Sequence, residues 1–296
     1  MAYVELHAKT AFSFLRGASL PEDVVQACAQ HDVAALAVCE RNGVYSAVRA
    51  HLAAKEQGLR HITGAEVTLD DGTAVPLLVA NSTGYRNLCR LLTRAKLRCP
   101  KGGCAATWAE LAAHAEGLFA LTGDEDGPVR RAWRQGDAAG AARAAQQLAA
   151  AFPGRLFVEM QRHRVRGEDI EERALIDLAR AQRLPLLATN GVLYSHREQR
   201  RVADAFTCLR EKRTLDCAGR RLETNAERAV KSPAMMAALF ADLPEAIAHT
   251  TQLWQRTFPR TGRSQATARG EERTVRRPDE GEARPRGGSE ATLTAW

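Results

Sequence analysis

Short apolar runs alternate with amphipathic segments along most of this chain, and each run has the length of one buried β-strand. The runs are residues 3–6 and 34–38, "HITGAEVTL", "AVPLLVA", "GLFALTG", "RLFVEM" and "LPLLATN". Strands that alternate with helices are typical of parallel βα units, and a β/α barrel fits a chain of 296 residues. The pattern therefore predicts the α/β class, although it leaves the order of the strands open.

Helical periodicity fills the segments between these runs. The first helix is predicted with Ser19 as its N-cap, Pro21 in its first turn and Glu22 at the capping-box position. The second helix is predicted over residues 44–57, before Gly58. Later helices are predicted in "TGYRNLCRLLTRAKL", "TWAELAAHA", "DAAGAARAAQQLAAAF", "GEDIEERALIDLARAQR", "SHREQRRVADAFTCLREK", "SPAMMAALF" and "LPEAIAHTTQLWQRT".

The character of the sequence changes near residue 257. The last forty residues are rich in Arg, Gly, Pro and Thr and contain almost no aliphatic side chains. Such a segment buries too little apolar surface to offset the entropy lost on ordering. We therefore predict a folded domain over residues 1–256 and a disordered tail over residues 257–296. A basic nucleic-acid-binding arm is the alternative interpretation of the tail, which carries eight Arg and six acidic residues.

Composition narrows the functional classes. No apolar run approaches the ~20 residues that a membrane span requires, and the N-terminus lacks a signal-peptide pattern. Seven scattered cysteines without a C-x-x-C pair favour reduced thiols, so we expect a cytoplasmic protein without membrane contact. The net charge of +7 is compatible with nucleic-acid contact. Aromatic residues are only 5% of the chain, which argues against a stacking surface for single strands.

The chemically informative residues lie where the predicted strands end. The sequence contains no phosphate loop, dinucleotide fingerprint, nucleophile elbow or H-E-x-x-H motif. The strand-end residues are His7, Glu40, Arg41, Glu66, Glu159, His163, Asn190, Gly191 and Leu193. In a parallel barrel these ends converge on one face, where carboxylates and imidazoles could bind metal. Ordinary polar loop residues are the competing interpretation. The "DED" at 124–126 lies in a turn composition, and we expect a solvated turn there rather than a Mg²⁺ site.

Three long segments resemble a known family. They are "ELHAKTAFSFLRGASLPEDVV", "CERNGVYSAVRAHLAAKEQGLRHITGAEVTL" and the stretch from "ATNGVLYSHREQRR" to "DLPEAIAHT". Together they resemble the PHP (polymerase and histidinol phosphatase) domain, and most closely the N-terminus of bacterial C-family DNA polymerases of the replicative and error-prone types. The resemblance covers roughly residues 3–256. It implies a distorted seven-stranded β/α barrel with metals at the carboxyl ends of its strands, followed by C-terminal helices.

The first two metal motifs of that family are altered here. The family's His-x-His motif corresponds to His7 and Lys9, so its second imidazole is replaced by an ammonium group. The family's Asp-His pair, which precedes Asn-Gly, corresponds to Glu40 and Arg41. The resemblance thus implies that two fixed cations stand where metal ions or their ligands would be. We expect these cations to neutralise Glu40 and Glu66.

The later metal motifs are also incomplete. The Gly-Ala-Glu carboxylate is present as Glu66, and His163 is the counterpart of the histidine that follows the sixth strand. The late Asp-x-His motif corresponds to Gly191 and Leu193, which supply no ligands. The resemblance therefore implies a degenerate metal site with no bound metal and no catalytic residue, although active family members use divalent ions such as Zn²⁺, Mn²⁺ or Mg²⁺.

Three functions remain open at this point. The first is the N-terminal PHP domain of an error-prone C-family polymerase in DNA replication or translesion repair. It would be a fragment with a structural role that contacts the remainder of a polymerase and lacks the palm carboxylates of nucleotidyl transfer. The second is a free-standing metal-dependent PHP phosphoesterase or 3′-5′ exonuclease. The third is a module that binds DNA through its basic surface.

Overall fold

A computed structural model describes residues 2–257 of the chain. The predicted folded domain lies almost entirely within this range. The predicted tail, residues 257–296, lies outside the described residues except for Thr257. No helix within residues 2–257 combines the length and the apolar character needed to cross a membrane.

One curled sheet of seven strands organises the domain, and its strands lie side by side in sequence order. The strands are β1 (Glu5–Ala8), β2 (Ala35–Arg41), β3 (Arg60–Thr68), β4 (Ala74–Val79), β5 (Leu118–Leu121), β6 (Leu156–Met160) and β7 (Leu186–Ala188). Each predicted apolar run forms one of these strands, which confirms the α/β class and the distorted seven-stranded β/α architecture. The second strand is longer than predicted, so Glu40 and Arg41 are its last two residues rather than the loop after it.

The prediction of parallel βα units is wrong at β4. Strands β1, β2 and β3 are parallel, and so are β5, β6 and β7, but β4 is antiparallel to both of its neighbours. The reason is the short connection after β3, where the amide of Leu69 donates to the carbonyl of Thr73 over 2.8 Å. A connection of this length forms a hairpin and cannot return the chain for a parallel pair.

Helices pack around the sheet and extend beyond β7. They are α1 (Pro21–Gln30), α2 (Ala47–Glu56), α3 (Ser82–Leu97), α4 (Trp108–Ala113), α5 (Pro128–Arg134), α6 (Ala138–Ala151), α7 (Glu168–Gln182), α8 (Arg200–Glu211), α9 (Leu215–Ala218), α10 (Pro233–Leu239) and α11 (Pro244–Gln255). The sequence pattern did not predict the short helices α5 and α9. The predicted N-cap is also wrong, because α1 follows Leu20, and the hydroxyl of Ser19 instead accepts from the amide of Ser195 at 2.8 Å.

Polar contacts join the two edge strands of the sheet at the end that carries the strand-end side chains. The amide of Lys9, just after β1, donates to the carbonyl of Val192, just after β7, over 2.8 Å. The buried carboxylate of Glu5 accepts from the hydroxyl of Tyr3 at 2.7 Å and from the amide of Asn190 at 3.0 Å. These bonds hold the edges close without a β1–β7 strand pair in the described range. The curled sheet therefore gathers side chains from distant segments at one end.

Candidate functional site

Six charged side chains from five strands or strand ends form a buried group, which we call the Lys9 cluster. Its members are His7, Lys9, Arg41, Glu66, Asp124 and Glu159. They come from β1, β2, β3, β6 and the loops after β1 and β5. Ion pairs and hydrogen bonds connect all six. The convergence of strand ends predicted from sequence therefore exists.

Lys9 lies at the centre of the cluster. Its Nζ is 2.8 Å from Oε1 of Glu66 and 2.7 Å from Oδ2 of Asp124, and all three side chains are buried. Burial by itself lowers the pKa of Lys9, but the carboxylates of Asp124 and Glu66 outweigh it and raise that pKa above its usual value. Lys9 is therefore a permanent cation held between two carboxylates.

Glu66 contacts three cationic groups. Beyond Lys9, its Oε1 lies 2.8 Å from Nε2 of His7 and its Oε2 accepts from Nε of Arg41 at 2.8 Å. Burial by itself raises the pKa of Glu66, but Lys9 and Arg41 hold it well below the ordinary value. The two cations thus neutralise this carboxylate in the way that the sequence predicts.

Glu40 differs from that prediction, because no cation within residues 2–257 forms an ion pair with it. Its carboxylate accepts from the hydroxyl groups of Thr10 and Ser13, and from the hydroxyl of Ser46 at 2.6 Å. Burial raises the pKa of Glu40, and the three hydroxyl donors oppose that rise. The side chain of Arg41 extends instead to Glu66 and Asp126. Glu40 therefore binds the loop after β1 rather than the cations of the cluster.

His7 bridges two carboxylates from strands β3 and β6, which are not neighbours in the sheet. Its Nδ1 is 2.7 Å from Oε1 of Glu159, and its Nε2 is 2.8 Å from Oε1 of Glu66. Burial by itself lowers the pKa of His7, but the two acids outweigh burial and raise it to about 10. At neutral pH the imidazole is therefore protonated, and both ring nitrogens donate.

The solvated turn predicted at 124–126 is wrong for Asp124, which is buried, whereas the backbone does turn there and Glu125 is exposed. Asp124 is buried and paired with Lys9, Glu125 lies 3.0 Å from Nη2 of Arg228, and Asp126 pairs with Arg41. The amide of Gly127 donates to the carbonyl of Asp124 over 2.9 Å, which closes the turn. Each of the three acids therefore contacts a cation from another segment of the chain. The composition of residues 124–126 alone does not indicate these partners.

The remaining predicted positions lie outside the Lys9 cluster. Nε2 of His163 lies 2.8 Å from the carbonyl oxygen of Asn190, and burial and Arg228 lower the pKa of His163 to about 3, so it is neutral. Gly191 has a φ of +57°, and an added Cβ would lie 2.7 Å from Nε2 of the Gln161 side chain. Leu193 makes main-chain bonds to Ala18 and Arg228.

Sequence reasoning missed two polar anchors near the cluster. Nε2 of Gln161 donates to Oε1 of Glu159 at 2.8 Å, beside Gly191. Nζ of Lys231 donates to Oδ1 of Asn190 at 2.6 Å, so the segment before α10 is held to the end of β7. Lys231 lies in "NAERAVKS", within the third segment that resembles the PHP family. That resemblance was the one signal in the sequence that could have identified Lys231.

One group in the described range has ligand atoms close enough together to hold a metal ion. It consists of His7, Glu66 and Asp124, whose ligand atoms all lie within 4.8 Å of one another. Nζ of Lys9 already contacts two of these residues. With His7 protonated, the cluster contains three cations and three carboxylates. One buried oxygen, Oε2 of Glu159, has no hydrogen-bond partner in the described part of the chain.

Comparisons with known proteins identify the family of this chain. The PHP domain family matches residues 5–163, and the chain belongs to that family. An error-prone DNA polymerase from Symbiobacterium thermophilum is 36% identical over 275 residues, which span 88% of this chain and 25% of that protein. The error-prone DNA polymerase of Anaeromyxobacter sp. (strain K) is 38% identical over 261 residues, or 83% of this chain and 22% of that protein.

Solved structures show a weaker similarity. An amidohydrolase from Chromobacterium violaceum has a TM-score of 0.46 and 14% identity, with 65% of this chain and 88% of that chain covered. A metal-dependent phosphoesterase, described as putative, from Bifidobacterium adolescentis has a TM-score of 0.44 and 16% identity, with 64% and 87% covered. These similarities carry no information about the activity of this chain.

The stability of the domain should depend more on Lys9 than on Arg41. In Lys9→Met, Asp124 loses the one direct ion pair that it makes within residues 2–257, and we expect the free energy of unfolding to fall by about 3–5 kcal/mol. In Arg41→Ala, Glu66 keeps Lys9 and His7, so we expect a smaller loss. Urea denaturation measures both, with the exposed Lys55→Met as the control. A loss of unfolding free energy in Lys9→Met that is no larger than the loss in Arg41→Ala or in Lys55→Met would contradict this prediction.

The contribution of His7 to the free energy of unfolding should decrease as the pH becomes alkaline. The pKa of His7 is raised to about 10 in the folded state, above the ~6.5 of an unfolded histidine. Its contribution is therefore complete below pH ~6.5 and is lost as pH rises towards 10. The difference in unfolding free energy between the parent and His7→Gln should shrink over that range by up to about 1.4 kcal/mol per pH unit. A difference that stays constant from pH 6 to 9 at about 25 °C would mean that His7 is neutral in the folded protein.

Proposed function

We propose that this chain acts as the N-terminal PHP domain of an error-prone C-family DNA polymerase, in replication or translesion repair. In this proposal the chain is a fragment with a structural role, and it has no polymerase activity of its own. Its partner is the remainder of a polymerase. The support is that relatives named error-prone DNA polymerase match most of this chain, while the chain spans only 22 to 25% of their length.

The degenerate metal site is the second element of the proposal. The observation that carries it is the position of the Lys9 ammonium group, within 2.8 Å of both Glu66 and Asp124. A divalent ion bound to those carboxylates would meet a fixed like charge at close range, which costs several kcal/mol at an effective dielectric near 20. The residues present therefore do not fit a multinuclear metal centre of the kind that hydrolysis would require.

A metal-dependent phosphoesterase or 3′-5′ exonuclease is the second candidate function. The observations in its favour are the close ligand atoms of His7, Glu66 and Asp124, and the unpartnered Oε2 of Glu159. For one ion to bind there, the Lys9 side chain would have to leave its two carboxylate partners. The balanced charges of the Lys9 cluster therefore favour the structural role.

Two assays on the purified chain separate these functions. We expect no extension of a primed template with dNTPs and Mg²⁺, and no stimulation by Mn²⁺, Zn²⁺ or Mg²⁺ of the hydrolysis of p-nitrophenyl phosphate or a 3′-labelled oligonucleotide. The Glu66→Gln protein serves as the control for contaminating enzymes. Metal-stimulated hydrolysis by the parent that Glu66→Gln abolishes would establish the enzyme instead, and template-dependent extension by the pure chain would contradict the structural proposal.

A further inference from the structure

A surface pocket beside the Lys9 cluster collects aromatic rings and cations. The pocket has a volume of about 420 Å³ and lies between the loop after β1, the start of α2 and the loop after α3. Its rings belong to Phe12, Phe14 and Tyr45. Its charged lining residues are all cations, namely Arg16, Arg41, Lys96 and Lys101, without a carboxylate among them. Low aromatic content argued against a stacking surface, but the fold places three of the few aromatic rings together.

The loop that presents Phe14 is fixed on both sides, although the ring itself points to solvent and is 82% exposed. The hydroxyl of Ser13 donates to Glu40 and accepts from the amide of Arg41 at 3.0 Å. Gly17 lies so close to Thr10 that an added Cβ would be 2.2 Å from its carbonyl oxygen. Core packing therefore does not account for the ring of Phe14, whereas the contacts of Ser13 and Gly17 anchor the loop on either side of it.

The pocket also has cations available for a ligand. Arg16 and Arg41 both pair with Asp126, so their charge is partly neutralised. Nζ of Lys96 donates to the hydroxyl of Tyr45 and lies 4.6 Å from the centre of its ring, and Lys101 is exposed, with no ion pair in the described range. Lys96 and Lys101 are therefore the two ammonium groups that can meet an anionic backbone.

We propose that this pocket binds single-stranded nucleic acid, with bases stacked on Phe14 and Tyr45 and phosphates next to Lys96 and Lys101. Aromatic rings offer a stacking surface only to bases that are free of a duplex, and a basic groove follows the backbone. An acidic peptide would use the cations but leave the rings without a matching group. This proposal is independent of whether the chain works within a polymerase and of the state of the metal site.

Fluorescence anisotropy of the full chain with a labelled oligo(dT) of roughly 16 nucleotides tests the proposal. We expect measurable binding near 50 mM salt that weakens as salt rises, and weaker binding of a duplex of the same length. Phe14→Ala should weaken binding by roughly fivefold or more through the loss of one stacked base. Lys101→Glu should weaken binding and also reduce the steepness of the salt dependence.

Matched surface variants separate the pocket from general charge effects and from the basic residues beyond 257. Ile170→Ala removes another exposed apolar side chain, on α7, and Lys55→Glu makes the same charge change at the distant end of α2. Both should bind like the parent. The proposal is overturned if the parent does not bind, if Phe14→Ala and Lys101→Glu bind like the parent, or if the control variants lose as much affinity as the pocket variants. Lys101→Glu keeps the test valid should Phe14→Ala fail to fold.

Discussion

The ammonium group of Lys9 holds the strand ends of this domain together. It is buried between Glu66 on β3 and Asp124 after β5, and the other members of the Lys9 cluster bind to those same carboxylates or to their neighbours. Buried carboxylates at this density repel each other strongly unless cations lie between them. The close approach of Glu66 and Asp124 therefore depends on the charged amine between them.

The last two residues of β2, Glu40 and Arg41, connect this end of the sheet to the surface around it. Arg41 pairs with Glu66 inside the domain and lines the aromatic pocket outside, so one side chain belongs to both features. Glu40 binds three hydroxyl groups, two of which belong to the loop that carries Phe14. The end of β2 therefore supports, from inside the domain, the loop after β1 that carries Phe14.

Sequence reasoning predicted the strands because continuous apolar runs are buried on both faces of the sheet, as in β2. It predicted the cations at Lys9 and Arg41 because they stand in short motifs next to strand ends. It missed the burial of Asp124, because "TGDEDGP" has the composition of any solvated turn and its cationic partner is 115 residues away. It also missed the hydroxyl partners of Glu40, since Thr10 and Ser13 come from another strand's loop and only the fold brings them near.

We propose that Lys9 occupies the place of a metal ion, and a metal titration of two proteins distinguishes this arrangement from a working metal site. The measurements are elemental analysis after purification and isothermal titration with Zn²⁺, on the parent and on Lys9→His, in which an imidazole replaces the ammonium group between Glu66 and Asp124. We predict well under one metal per chain for the parent and a new Zn²⁺ affinity for Lys9→His. If the parent purifies with one metal per chain and the Glu66→Gln protein does not, Lys9 does not occupy the place of the metal.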